Sequence, residues 1–203
     1  MKRILTALGA ALIGTPMLAQ ADAYHGRLGA FLIPSSDIEA RSGAFPATAE
    51  DDGNGLGLDL ELPIADSVVL TGEWFQTEYD DSSDLDHLRL GIGAVGVGGS
   101  GLFLEYTQID PQGSGRVDGP SLHARLGGDL SDAVNLYGRI GYHFLSGDNN
   151  QDFDGPEFGA GLEFALAPQF GLFGEYRLMN LEVDDSGDEL ETRDLRLGVR
   201  FRF

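Results

Sequence analysis

The last eleven residues of the chain, 193–203, alternate without a break between apolar and polar side chains. Leucine, valine and phenylalanine occupy one set of alternate positions, while aspartate, arginine and glycine occupy the other. Successive side chains of a β-strand point to opposite faces of its sheet, so this pattern predicts a strand with one apolar and one charged face. The sheet that contains this strand must have an apolar surface on one side and hold arginine side chains on the other.

Residues 1–23 have the organisation of a secretory signal peptide. A basic start and an apolar run to Ile13 are followed by small residues that allow cleavage after Ala21 or Ala23. The apolar run is far shorter than the roughly 20 residues that a membrane-spanning helix needs. We therefore predict a cleaved signal peptide over 1–23 and a single mature domain over 24–203.

Charge and cysteine content exclude several classes of function. The net charge of −20 argues against binding nucleic acid, because a phosphate-binding surface needs clustered lysine and arginine. The chain has no cysteine, which excludes a disulfide framework, a thiolate metal site and a cysteine nucleophile. Its 30 glycines and few helix-favouring runs indicate β structure with many turns.

Alternating hydrophobicity recurs throughout the mature chain, and one consistent parity gives every segment an apolar face. The ten segments are 24–33, 55–63, 68–77, 87–97, 101–108, 121–130, 134–144, 158–166, 170–181 and 193–203. About nine residues tilted by about 45° can cross a bilayer as a strand. The connections alternate between short turns and long loops, the latter at about 34–53, 78–86, 109–120, 145–157 and 182–192. The sequence predicts an all-β protein, a single closed antiparallel transmembrane β-barrel of ten strands, with eight strands as the alternative.

The two faces of these segments differ in charge. The outward face is rich in leucine and has no charge near mid-strand, as lipid contact requires. The inward face holds eight arginines and eight carboxylates, which are tolerable when buried only if they are paired. We expect a luminal charge network of Arg27, Glu73, Arg89, Glu105, Arg125, Arg139, Glu163, Glu175, Arg177, Arg196 and Arg200, with Asp59, Glu61, Asp129, Asp194 and Arg202 on the same face.

The signal peptide, the ten segments and the terminal Phe203 together resemble small Gram-negative outer-membrane β-barrel proteins, most closely the OmpA-type and Ax21-like barrels. The resemblance implies that Phe203 is part of an assembly signal read by periplasmic chaperones and the barrel-assembly machinery. It also implies a bacterial outer-membrane location among lipid and lipopolysaccharide. Both termini are then periplasmic, and the long acidic loops are extracellular.

The long loops carry most of the acidic residues. They hold 22 of the 33 carboxylates and only two basic residues, Arg41 and Arg116. A solvated, self-repelling surface explains this composition, and binding of calcium or another divalent cation is the sharper interpretation. The best local metal candidate is the oxygen set Asp148, Asn150, Asp152 and Asp154, although Gly161 stands where an EF-hand has its bidentate glutamate. We expect no other cofactor.

The sequence favours a non-enzymatic envelope protein with a structural role and acidic loops for adhesion or cation contact. The alternative is a narrow pore for ions or small solutes, since inward glycines such as Gly93 and Gly141 leave a water path or make room for arginines. A barrel-borne lipid A hydrolase or protease ranks last. His143 and Ser146, with the carboxylates Asp148 and Glu157, can be imagined as base, nucleophile and orienter, but the motifs of those enzyme families are absent.

Overall fold

Ten antiparallel strands form a closed barrel in the computed structural model, which describes residues 25–42, 48–80, 84–111, 115–147, 151–184 and 186–203. The strands are β1 (Arg27–Arg41), β2 (Thr48–Ala65), β3 (Val68–Tyr79), β4 (Leu85–Val95), β5 (Gly101–Pro111), β6 (Val117–Ser131), β7 (Val134–Gly147), β8 (Asp152–Ala167), β9 (Phe170–Val183) and β10 (Glu189–Arg202). Each strand pairs with its neighbours in sequence, and β1 pairs with β10 to close the barrel. The predicted all-β barrel of ten strands is confirmed, and the eight-stranded alternative is wrong.

The two ends of the barrel differ in their connections. At one end, called the turn end, the strands are joined over 66–67, 96–100, 132–133 and 168–169. At the other, the loop end, the connections are 42–47, 80–84, 112–116, 148–151 and 184–188. Within the described parts of the chain, no helix has the length and apolar character needed to cross a membrane.

The strands extend further toward the loop end than the sequence predicts. Most of the predicted long loop 34–53 is strand, because β1 runs to Arg41 and β2 begins at Thr48. A bulge between Leu32 and Ser35 shifts the register there. The inward and outward alternation of the first residues of β1 therefore does not continue in phase toward Arg41. Beyond it the outward side chains are charged, which removes the hydrophobic signal although backbone pairing continues.

The outer face is apolar, as predicted. Leucine side chains on it are extensively exposed, for example Leu32 at 63% and Leu126 at 74%. Exposed aromatic rings lie toward both ends of the strands; they are Trp74, Tyr106, Phe144, Phe158 and Tyr176 toward the loop end, with Phe164, Phe170 and Phe203 toward the turn end. An apolar band between two rings of aromatic residues is typical of barrels that cross a membrane.

Phe203 lies at the seam where β1 meets β10. Its backbone exchanges two hydrogen bonds with Gly26, at 2.9 and 3.0 Å. A Cβ atom at Gly26 would overlap the Phe203 ring, so the missing side chain makes room for that ring. Phe203 also stacks on Phe201, with the ring centroids 6.1 Å apart. The last residue of the chain therefore takes part in closing the barrel.

Candidate functional site

A central charge network fills the middle of the barrel interior, and Glu157 lies at its centre. The Glu157 side chain is 1% exposed and its Oε2 lies 2.6 Å from Arg89 Nη2. Its other oxygen lies 3.1 Å from Arg139 Nε and 3.8 Å from Arg177 Nε. Arg139 also reaches Glu105, at 2.8 Å. Three guanidinium groups from β4, β7 and β9 thus converge on a single carboxylate from β8.

Glu73 is the second hub of the central charge network. It accepts two hydrogen bonds from Arg177, at 2.7 and 3.0 Å, and lies 3.1 Å from Arg196 Nη1. Arg177 also pairs with Glu175 at 2.6 Å. Arg196 packs over the ring of Phe75 at 4.3 Å, which adds a cation–π contact. The two hydrogen bonds from Arg177 and the nearby charge of Arg196 offset the cost of burying the Glu73 carboxylate.

A second group of ion pairs lies nearer the turn end. Arg125 forms a bidentate pair with Glu61, and Arg202 pairs with Glu163. Arg200 bridges Glu163 at 2.9 Å and Asp59 at 3.4 Å. A cavity of about 70 Å³ separates this group from the central charge network. The cavity has room for a few water molecules.

Every residue of the predicted luminal network lies inside the barrel, but two assignments change. Glu157, which the sequence placed in a long loop, is the centre of the network. Asp129, which was expected inside, is exposed near the turn end and accepts a hydrogen bond from Asn135 at 2.9 Å. The alternation along β8 could have revealed Glu157, because this residue shares the inward phase of Gly161 and Glu163.

An apolar cluster, here called the loop-end plug, extends from the central charge network toward the loop end, and two of its rings, Phe31 and Phe173, also line the cavity on the turn side. Its fully buried core includes Ile33, Ile109, Leu145 and Leu181, each at most 1% exposed. The cluster consists of Phe31, Ile33, Phe75, Tyr79, Leu85, Ile109, Leu145, Phe173, Met179 and Leu181, with Ile38, Val117, Phe153 and Leu190 packed against it. These residues come from every strand except β2. The sequence analysis missed the loop-end plug because eight of these fourteen residues lie in segments predicted to be loops.

The inward glycines make room for neighbouring side chains. A Cβ atom at Gly93 would overlap the ring of Phe103, and one at Gly141 would overlap the ring of His123. At Gly161 the Tyr137 ring occupies the same kind of space. The sequence left open whether the inward glycines form a water path or make room for arginine side chains. These contacts agree with room for side chains, although the neighbours are mostly aromatic rather than arginine.

Two buried histidines lie beside Glu157 in a metal-like arrangement. His143 Nε2 is 3.0 Å from Glu157 Oε2, and His123 Nδ1 is 3.8 Å from Oε1. Three such ligand atoms could in principle hold a cation. The surroundings do not fit one, because Arg89 and Arg139 already pair with this carboxylate and would repel a metal ion. The arrangement is better explained as part of the central charge network.

The imagined catalytic set is not assembled. His143 faces the interior, whereas Ser146 lies on the opposite parity of β7 and donates to Asp152 at 2.8 Å. Of the candidate metal ligands, Asp148 and Asn150 lie outside the described residues. Asp152 and Asp154 belong to strand β8 rather than to a loop, and Asp154 accepts a hydrogen bond from the Tyr142 hydroxyl at 2.9 Å. A strand cannot provide the turn that an EF-hand loop requires.

The outer face near the loop end carries rows of charged side chains above the apolar band. Asp37 lies between Asp52 on β2 and Arg193 on β10, and Glu39 lies one row further between two other glutamates. Partial burial, followed by the hydrogen bond and charge of Asp52, raises the pKa of Asp37. The hydrogen bond from Arg41 lowers the pKa of Glu39. Like charges directly opposite each other weaken strand pairing.

Acidification should therefore relieve repulsion at Asp37. A raised pKa means that the folded protein binds this proton more tightly than the unfolded chain, so the stabilising effect of protonation appears as pH falls toward the ordinary carboxyl value of about 3.9. We expect Asp37→Asn to stabilise the barrel slightly at neutral pH, by no more than about 0.5 kcal/mol. Denaturant unfolding of both proteins across pH checks this, since the difference should shrink on acidification. A constant difference would contradict it.

An apolar outer band, a charge-paired interior and a closed sheet without edges define a transmembrane β-barrel, since every backbone group in hydrocarbon must be hydrogen-bonded. The chain belongs to the outer membrane protein beta-barrel domain family, whose match covers residues 6–203. Members of this family lie in the bacterial outer membrane, which is therefore the location of this protein. No curated protein matches the sequence.

Two solved outer-membrane proteins share the fold with TM-scores above 0.5. The outer membrane protease OmpT from Escherichia coli aligns with 8% identity and a TM-score of 0.54, covering 93% of this chain and 100% of that one. The COG4313 outer membrane channel from Pseudomonas putida F1 aligns with 11% identity and a TM-score of 0.51, covering 94% and 100%. Neisserial surface protein A has 15% identity, a TM-score of 0.42 and coverage of 88% and 97%. At these identities the likeness concerns the fold alone.

Proposed function

We propose that the protein is a non-conducting, non-enzymatic structural barrel of the outer membrane with an acidic outer rim. The observation that carries the proposal is the loop-end plug. Its buried side chains, such as Ile109 and Leu181, lie across the interior between the central charge network and the loop end. An ion entering the cavity of about 70 Å³ would have to break ion pairs and then cross an apolar layer.

The orientation that fits this role places the loop end outside the cell and both termini in the periplasm. The even number of strands brings Gly26 and Phe203 to the same end of the barrel. In outer-membrane barrels the tight turns are periplasmic. The rows of carboxylates near the loop end then face the medium, where they are available for adhesion or for contact with divalent cations. An acidic surface of this kind also limits association between barrels.

The proposed role also includes assembly of the barrel in the outer membrane through its terminal residue. Phe203 completes the seam between β1 and β10 through backbone hydrogen bonds, and its ring stacks on Phe201. The family resemblance implies that the same residue is part of the assembly signal. We include periplasmic chaperones and the barrel-assembly machinery among the proposed partners on that basis.

Conductance in a planar bilayer tests the proposal. The mature protein is refolded, and heat-modifiable gel mobility confirms that it is folded. We expect no discrete current steps from the folded protein, with a general porin in the same bilayer as the positive control. Steps that persist in preparations of folded protein would overturn the non-conducting role and favour the narrow pore.

A further inference from the structure

A groove on the apolar outer face is unexplained by a purely structural role. It has a volume of about 830 Å³ and crosses five adjacent strands, β8, β9, β10, β1 and β2. Two small outward residues lie among larger ones within it. Gly174 pairs with Leu162 and Leu197, and Ala30 lies between leucine and valine on its two neighbouring strands. The groove therefore arises where side chains are missing from an otherwise leucine-covered surface.

The chemistry of the groove suits a hydrocarbon chain. The outward side chains that line it are aliphatic or aromatic; they include Ala30, Leu32, Leu56, Leu58, Leu162 and Leu197. A chain lying in a groove contacts more atoms than one on a flat surface, and each contact adds a small dispersion attraction. In an outer membrane the available hydrocarbon chains are those of lipids.

An arginine side chain lies on the loop-end side of this groove, on one of the five strands that form the groove. Arg193 follows the outward face of β10, four residues from Leu197 and thus about 13 Å along the strand toward the loop end. Its side chain is 39% exposed although Nη2 forms a close ion pair with Glu191 and lies 3.6 Å from Glu39. Arg41 stands further out on β1, 47% exposed. Each guanidinium has five N–H donors, so the ion pairs that hold it in place leave donors for another acceptor.

We propose that the groove and Arg193 bind one molecule of lipopolysaccharide, with an acyl chain along Gly174 and Ala30 and a phosphate at the Arg193 guanidinium. Arginine binds phosphate through paired, charge-assisted hydrogen bonds. The carboxylates beside Arg193 favour this lipid over a simple anionic phospholipid, because lipopolysaccharide carries divalent cations between its phosphates and carboxylates are good ligands for them. The proposal rests on the orientation given above, which places the loop end in the outer leaflet.

The single tryptophan of the chain reports on the groove. Trp74 on β3 is the cross-strand partner of Leu58, which lines the groove. In vesicles of brominated phosphatidylcholine, the bromine atoms quench Trp74. Lipopolysaccharide added with magnesium should displace brominated chains and restore fluorescence in a saturable way. Phosphatidylglycerol should restore fluorescence only in proportion to its mole fraction.

Two variants and two matched controls make the test specific. Gly174→Leu fills the groove, and Arg193→Gln removes the phosphate donor; each should weaken lipopolysaccharide binding by about tenfold or more. Gly138→Leu changes another outward glycine with open space around it, and Arg116→Gln changes an exposed arginine near the loop end that is not on a groove strand. Both controls should bind as the wild type does. Gel mobility verifies folding of all four, and Gly174→Ala replaces any Gly174→Leu protein that does not fold.

Three outcomes would overturn the proposal. They are a linear response to lipopolysaccharide, equal responses to lipopolysaccharide and phosphatidylglycerol, and wild-type binding by both groove variants. Conductance measured on the same vesicles separates this result from the proposed function. Current steps would reject the non-conducting role and leave the lipid titration unaffected, whereas a failed titration in silent vesicles would reject only the lipid site.

Discussion

Glu157→Gln should lower the free energy of unfolding by about 3–5 kcal/mol, which is typical when one partner of a buried ion pair is removed. The loss is large because Arg89, Arg139 and Arg177 all converge on this carboxylate, and Arg89 and Glu157 are each only 1% exposed. Removing the negative charge leaves guanidinium groups short of a counter-charge inside the barrel. Denaturant unfolding of the refolded barrel in vesicles measures the change.

The control for this variant is Glu50→Gln, which removes the same charge from an exposed position on the outer face of β2. We expect a change within about 0.5 kcal/mol. The double variant Arg89→Met with Glu157→Gln should recover part of the lost stability, because Arg89 forms the 2.6 Å pair with Glu157. Equal effects of Glu157→Gln and Glu50→Gln would show that the central charge network does not stabilise the barrel.

Leu197→Arg should destabilise the barrel by about 2–4 kcal/mol and reduce its assembly, the cost of arginine on the lipid face near the midplane. Leu197 is 50% exposed on the outer face and lies between Leu32 and Gly174, so the new charge has no acidic partner beside it. Unfolding in vesicles gives the energy, and the fraction of heat-modifiable protein after refolding gives the yield of assembly.

The matched control places the same side chain outside the apolar band. Asn54→Arg lies on the outward parity of β2 and directly opposite Glu78, which can pair with it. We expect a change within about 0.5 kcal/mol and normal assembly. If both arginines are tolerated equally, the assignment of the outer face to lipid is wrong.

The strands and their faces were predictable because both follow from local rules. A strand that crosses lipid must alternate, so the parity of residues such as Leu197 and Arg200 specified which side faced outward and which faced the interior. The closed ten-stranded barrel followed from the even count of such segments. Residues beyond the apolar band were misassigned for the same reason, since Asp37 and Glu39 continue the strand without an apolar face to reveal it.

The pairing within the interior could not be read from the chain. Arg177 and Glu73 are 104 residues apart in sequence, and only the register of several consecutive strands brings their side chains to 2.7 Å. The central position of Glu157, the loop-end plug and the outer groove also depend on how ten strands stack their residues around one axis. Alternation records which face a side chain occupies, whereas its neighbours on that face are set by register and barrel closure, and those are properties of the whole sheet.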